Sequence, residues 1–172
     1  MDRDYVLGTH NKELARLGLQ HRVWRPVVLD CWQRAGITVG KRVLDVGAGP
    51  GYATVDLAEI VGPTGEVVAL ERSENFVRAM EQTSRARSLE NVKIHQLDLM
   101  TGELPRGNYD FSWCRWVMPR TLKIAIVLVC FALCGAGTFI ASTAREESKQ
   151  PQKLNTIPVK NHEIARRIWI QV

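Results

Sequence analysis

The strongest chemical signal in the sequence is the run Val43-Leu44-Asp45-Val46-Gly47-Ala48-Gly49-Pro50-Gly51. An apolar stretch enters a turn with glycine at every second position. Glycine lets a backbone come close to a ligand and take dihedrals that other residues avoid. The spacing is not the GxGxxG of a dinucleotide site: position 52 is Tyr, so the third glycine falls one residue early. Asp45 stands just before the loop, where a carboxylate is a poor neighbour for a pyrophosphate and a good one for an ammonium group. Glu71 follows the apolar run 66–70, twenty residues beyond Gly51. A carboxylate at that place can accept hydrogen bonds from both hydroxyls of a ribose. Asp98 follows the run 92–97 and could accept from an exocyclic amine such as adenine N6, with its neighbours packing the ring. An adenosine that carries an amino acid satisfies all three acids. A glycine loop alone has many false matches, and a loop with two acids at successive strand ends is far more specific.

The elements that must position these residues follow from pattern. Residues 42–46, 66–70, 92–97 and 110–114 read as short apolar strands, and residues 52–61 as a helix stopped by Gly62-Pro63. Ser73 reads as the N-cap of a helix to about Arg87, with Phe76, Val77 and Met80 facing inward. Strands alternating with helices imply a parallel sheet with crossover connections, and ligands of such sheets lie beyond the C-terminal strand ends. Before the first strand, Leu14 and Leu17 share a helical face after Asn11. A second stripe runs Val23, Trp24, Val27, Val28, Cys31, Trp32 and Ala35 up to Gly36. Pro26 fits that helix only in its first turn.

On these residues the chain resembles the class I S-adenosylmethionine (SAM)-dependent methyltransferases. Residues 43–51 are similar to the family's first motif, Glu71 to its second-strand acid and Asp98 to its adenine-side acid. Tyr109-Asp110-Phe111-Ser112-Trp113-Cys114-Arg115-Trp116-Val117 is similar to the motif around strand four. Gln20-His21-Arg22-Val23-Trp24 resembles the N-terminal cap helices of members that act on small molecules. The resemblance runs from about Tyr5 to Val117, and residues 133–141 look like the family's glycine turn into strand five. It implies an α/β fold, a doubly wound, mainly parallel sheet of Rossmann-like type, and S-adenosyl-L-methionine as cofactor. It implies methyl transfer to a small-molecule acceptor, and a cofactor site of Asp45, Gly47, Ala48, Gly49, Gly51, Glu71, Arg72, Asp98, Leu99 and Cys114. The family usually continues into sixth and seventh strands. Only 31 residues follow Ala141 and they show no clear strand hairpin, so these last strands lack an evident counterpart. A SAM-binding module without catalysis is therefore the second reading.

Catalysis by methyl transfer rests largely on orientation, and a general base is needed only where the acceptor must lose a proton. Of His10, His21, His95 and His162, His21 is the better candidate, because cap helices can cover the site. A lone histidine is nevertheless more often structural. Tyr5 and Gln20 could touch the cofactor from the cap, Trp113 and Trp116 could line the acceptor pocket, and Arg115 could reach the cofactor carboxylate or face solvent.

A chain of 172 residues with 45% apolar and 24% charged residues suits one soluble domain. We divide it into an N-terminal helical cap (1–40), a SAM-binding α/β unit (41–144) and a polar, basic tail (145–172). Cys31, Cys114, Cys130 and Cys134 form no CxxC pair and read as free thiols of a reducing, cytoplasmic compartment. The charged start, Met1-Asp2-Arg3-Asp4, argues against a secretory signal. Residues 1–110 hold 14 Lys/Arg against 15 Asp/Glu, and residues 111–172 hold 9 against 3. The basic charges are scattered and accompany no nucleic-acid motif, so a solvated tail is expected, with a final helix capped by Asn161. Residues 124–144 carry no charge, which is long enough for a membrane span. The alternative, favoured by Gly135 and Gly137, is a buried helix over 121–134, a turn, and a fifth strand over 138–142.

Overall fold

A computed structural model of the chain describes residues 11–99, 101–115, 138–142 and 169–171. The first strand, β1 (Arg42–Val46), leads into helix α2 (Tyr52–Val61), since α1 (Asn11–Ala35) precedes both. Strand β2 (Glu66–Glu71), helix α3 (Glu74–Ala86), β3 (Val92–Gln96), β4 (Phe111–Arg115), β5 (Thr138–Ser142) and β6 (Trp169–Gln171) complete the order. The strands form one sheet in the order β3-β2-β1-β4-β5-β6, and every adjacent pair is parallel. The chain steps outward from β1 to β3 and returns to β4 on the other side of β1. The crossovers therefore diverge between β1 and β4, and the crevice they leave at the C-terminal strand ends is where ligands of open α/β sheets bind.

The strands form where expected because both faces of a parallel sheet are covered, which demands near-continuous apolar runs. Val43, Leu44, Val46, Val67, Val68, Ala69 and Leu70 are all buried. Strand β3, at the edge, leaves Lys93, His95 and Gln96 exposed. Helix α2 ends at Gly62, whose N–H donates to the Ala58 carbonyl at 3.0 Å. The Asn91 amide donates to the carbonyls of Ala58 (2.9 Å) and Gly62 (2.8 Å) and closes that helix end. Ser73 caps α3, accepting from the Phe76 N–H at 3.5 Å.

Two features differ from the sequence expectation. The two N-terminal apolar runs are one helix of 25 residues, with Pro26 in its interior rather than in a first turn. Proline there removes one backbone hydrogen bond and crowds the preceding turn, at a cost of about 3 kcal/mol, and burial on the C-terminal side offsets it. Val28, Cys31 and Trp32 sit in the main core with Val43, Leu57, Val61, Val67, Phe111 and Trp113. Val23, expected on the buried stripe, is 65% exposed, because in one continuous helix it lies well round from Val28 and Trp32. Second, β6 joins the sheet beside β5 (Ile140 opposite Trp169), within the stretch read as a tail. Three residues are too few to show a period. The final helix expected from Asn161, and Cys130 and Cys134, lie outside the described residues.

The end of the uncharged run 124–144 follows the favoured expectation of a fifth strand rather than one membrane span. Residues 138–142 form β5, paired in register with β4 from Phe111–Thr138 to Arg115–Ser142. No helix among the described residues is long and apolar enough to cross a membrane.

Candidate functional site

The glycine turn leaves β1 at the C-terminal edge of the sheet. Gly47, Gly49 and Gly51 all have positive φ (69°, 59° and 85°), a region costly for residues with a Cβ. The turn closes on its neighbours. The N–H groups of Gly47 and Ala48 both donate to the Leu70 carbonyl (2.9 and 3.0 Å), and that of Gly51 donates to the Ala48 carbonyl (3.2 Å). The Gly49 N–H donates to Glu71 Oε2 at 2.9 Å, and Pro50 has no N–H. Each backbone donor from Gly47 to Gly51 thus has a protein acceptor. A phosphate-binding loop needs such donors aimed at its ligand, so this turn suits a group that requires no anion cradle. Space for one exists: a Cβ built on Gly49 meets nothing within 4 Å.

Glu71 holds the turn from the second strand. Besides the Gly49 N–H, its Oε1 accepts the Ser73 N–H at 2.7 Å. Burial raises the Glu71 carboxyl above its ordinary range, partly offset by the N–H donors of Ser73, Gly49 and Arg72 and by the Arg72 charge. A carboxylate offers about four acceptor positions; the N–H groups of Gly49, Ser73 and Arg72 occupy three, so one remains for a ribose hydroxyl. Asp45 lies beneath the turn, 2% exposed, its Oδ2 accepting from Thr54 Oγ1 at 2.6 Å. Burial pushes its carboxyl up to about 6; the Thr54 hydrogen bond and the Arg115 charge draw it down, while Glu71 pushes it up. Asp98, beyond β3, is half-exposed and lies 3.8 Å from the Arg72 guanidinium, Oδ2 to Nη1. Its carbonyl accepts the N–H groups of Thr101 (3.2 Å) and Gly102 (2.8 Å). Leu99 is partly buried beside it. Cys114 is buried on β4 opposite Val46. The residues expected at the cofactor site thus share one edge of the sheet.

Other expected residues separate. Trp113 is 1% exposed and meets Trp32 edge-to-face at 5.1 Å between ring centroids, so it belongs to the core rather than to an acceptor pocket. His95 points outward from the edge strand. Gln20 accepts from Arg16 on its own helix at 3.4 Å. Tyr5, His10, Trp116 and His162 lie outside the described residues. His21 is buried beside the turn, stacked on Tyr52 with centroids 5.7 Å apart. Its Nδ1 lies 3.1 Å from Arg115 Nη2 and its Nε2 3.1 Å from Asp56 Oδ2. Both ring nitrogens are engaged within the protein, which removes it as a general base in this arrangement. Arg115 faces inward rather than to solvent, and burial pulls its guanidinium down to about 10 against the raising charges of Asp45 and Asp56.

Thr54, Asp56 and Tyr52 were not singled out in the sequence. One signal pointed to two of them: Thr54 and Asp56 are polar residues inside a helix of otherwise apolar inward positions, and both are buried. A buried polar group requires a partner.

Residues 37–169 match the model of a family described as methyltransferase domain. Demethylmenaquinone methyltransferase of Geobacillus stearothermophilus is 38% identical over 92 residues, covering 54% of this chain and 38% of that protein. The enzyme of the same name from Staphylococcus aureus strain JH9 is 38% identical over 94 residues, covering 55% and 36%. The solved structure of a SAM-dependent O-methyltransferase from Thermotoga maritima superposes with a TM-score of 0.52 at 28% identity, covering 62% of this chain and 39% of that one. The chain thus spans less than two-fifths of the length of the curated relatives it matches.

Proposed function

The chain belongs to the methyltransferase domain family, and from that premise we propose that it binds S-adenosyl-L-methionine along the C-terminal edge of its sheet for methyl transfer to a small-molecule acceptor in the cytoplasm. One observation carries this reading: the glycine turn has its backbone donors internally engaged, partly by Glu71, and opens onto free space at Gly49. Such a turn favours an uncharged or cationic ligand segment over a phosphate. Asp98, Arg72 and Leu99 then serve the adenine end, Glu71 the ribose, and Gly47, Ala48, Gly49 and Gly51 the middle, with Asp45 beneath and Cys114 behind. Residues 1–40 act as a cap, 41–144 as the cofactor-binding unit, and 145–172 as a polar, basic extension that contributes β6.

When bound, the cofactor supplies a methyl group on a sulfonium that is already a good leaving group. The protein's contribution is therefore orientation and exclusion of water. Glu71 fixes the ribose and the turn with one side chain. Asp45 provides negative potential under the loop, favourable to a cationic ligand. No residue described here is assigned to take a proton from the acceptor.

Calorimetric titration with SAM tests the reading. The protein is expected to bind at one site. Gly49→Val, which fills the open space, should lose roughly 100-fold in affinity while unfolding only about 1–2 kcal/mol more easily. Unchanged affinity in that variant would refute the site. The second reading, carried over from the sequence, is binding without transfer. Release of S-adenosylhomocysteine with a panel of acceptors separates the two. A demethylmenaquinone is the first to try, given the relatives' names.

A further inference from the structure

The N-terminal half of α1 turns one side to the protein and leaves the opposite side uncovered. Leu14, Gly18, His21 and Arg25 recur at steps of three and four residues and meet the start of α2. The Leu14 carbonyl accepts the Tyr52 hydroxyl, a Cβ on Gly18 would stand 3.0 Å from that hydroxyl, and His21 and Arg25 both reach Asp56. Ala15, Leu19, Val23 and Pro26 keep the same steps on the far side of the helix, and all four are exposed. Leu19 is 57% exposed and Val23 65%. Together they make an apolar stripe roughly 16 Å long. Single exposed apolar residues need no explanation, but a stripe at helical period does.

Charge frames this stripe. Residues 11–26 hold Lys12, Arg16, Arg22 and Arg25 against Glu13 alone, and Glu13 is buried against Arg16. At about 100° per residue, Arg16 and Arg22 stand roughly 60° to either side of Leu19, and Lys12 continues the stripe toward the N-terminus. The face is convex and aliphatic, with no aromatic anchor, whereas protein interfaces centre on aromatic anchors seated in pockets. An aliphatic stripe with arginines on both flanks fits the boundary between acyl chains and anionic headgroups. There the long basic side chains reach the phosphates while the apolar residues sink below them. We propose that the outer face of α1, with Leu19 and Val23 at its centre and Arg16 and Arg22 at its flanks, docks the protein on an anionic lipid surface. The helix lies on that surface rather than across it. Because its inner side meets Tyr52 and Asp56, docking holds the sheet edge that carries the glycine turn about one helix diameter, roughly 10 Å, from the lipid.

Flotation of the full chain with lipid vesicles is the test. Vesicles of phosphatidylglycerol mixed with phosphatidylcholine are expected to bind the protein at least about tenfold more tightly than phosphatidylcholine alone, and less tightly as salt rises from about 0.1 to about 0.5 M. The double variant Leu19→Ser, Val23→Ser should lose roughly tenfold or more, and Arg22→Gln about three- to fivefold. Leu19→Trp, which adds an interfacial anchor, should bind more tightly than the parent. All of these change exposed side chains, so thermal unfolding and SAM titration should match the parent's, which separates a lost surface from a lost fold or a lost cofactor site. Vesicle binding undiminished in the double variant places the contact elsewhere, such as on the basic tail, and overturns the proposal. Equal affinity for the two kinds of vesicle overturns it as well. A parent protein indifferent to anionic vesicles leaves the face to an acidic protein partner and also overturns it.

Discussion

Gly51→Ala is expected to destabilise the protein by about 2–5 kcal/mol, among the largest effects of any single methyl group in the chain. Two costs add. The residue has a φ of 85°, and a Cβ in the left-handed region costs about 1–2 kcal/mol. That Cβ would also stand 2.3 Å from Met80 Cγ and 3.0 Å from Met80 Cβ. Methionine is adaptable, but these are the near atoms of its side chain, and Met80 is fully buried. Forcing it aside is overpacking, worth about 1–3 kcal/mol more. Gly49 is the control: its φ is also positive, yet its Cβ direction is open, so Gly49→Ala should carry the conformational cost alone. Urea unfolding measures both. A loss below about 1 kcal/mol for Gly51→Ala would mean that Met80 moves freely and that the turn is not braced by α3.

The second large effect is expected at Asp45, and its sign is opposite. The carboxyl titrates near 3.8 when unfolded and near 6 when folded, chiefly because it is buried. Between those values the folded protein holds the extra proton. The stability contributed by the neutral acid is fully present below 3.8 and lost as pH rises through about 6. At pH 8 the ionised, buried group therefore costs roughly 3 kcal/mol. Asp45→Asn keeps an oxygen for the Thr54 hydroxyl and removes that cost, although Arg115 loses a counter-charge. The variant is expected to be more stable than the parent by about 1–3 kcal/mol at pH 8, with the gap closing toward pH 4. It should also bind SAM roughly 100-fold more weakly. Thermal unfolding across that range is the check, and a gap independent of pH would refute the buried-acid account. A residue that lowers stability and serves binding fits the exchange between stability and activity common at functional sites.

The sheet was legible in the sequence where burial on two faces writes continuous apolar runs. β1, β2 and β4 fall within a residue of their expected bounds, and residues 138–142 form the fifth strand as expected. The glycine turn and the acids at 71 and 98 were legible because strand ends are local. What was not legible depends on distance in sequence. His21 meets Arg115 across 94 positions and Asp56 across 35, and no periodicity encodes such a pairing. The expected stripe on α1 named residues that could face inward, but one helix through Pro26 decides which do. Trp113 beside a strand end could equally have lined a pocket, until Trp32 from α1 took the other side of its ring. β6 left no trace because three residues carry no alternation.

Pro26 divides α1 into halves held by different forces. The C-terminal half is anchored by Val28, Cys31 and Trp32 in the apolar core. Among the described contacts, the N-terminal half is held through Leu14, His21 and Arg25 to Tyr52 and Asp56. Polar tethers of this kind break at lower free energy than a packed core, so amide protons before Pro26 should exchange with deuterium through local opening. Those around Trp32 should wait for global unfolding. The N-terminal end of α1 can therefore lift without the domain coming apart, while the core stays closed.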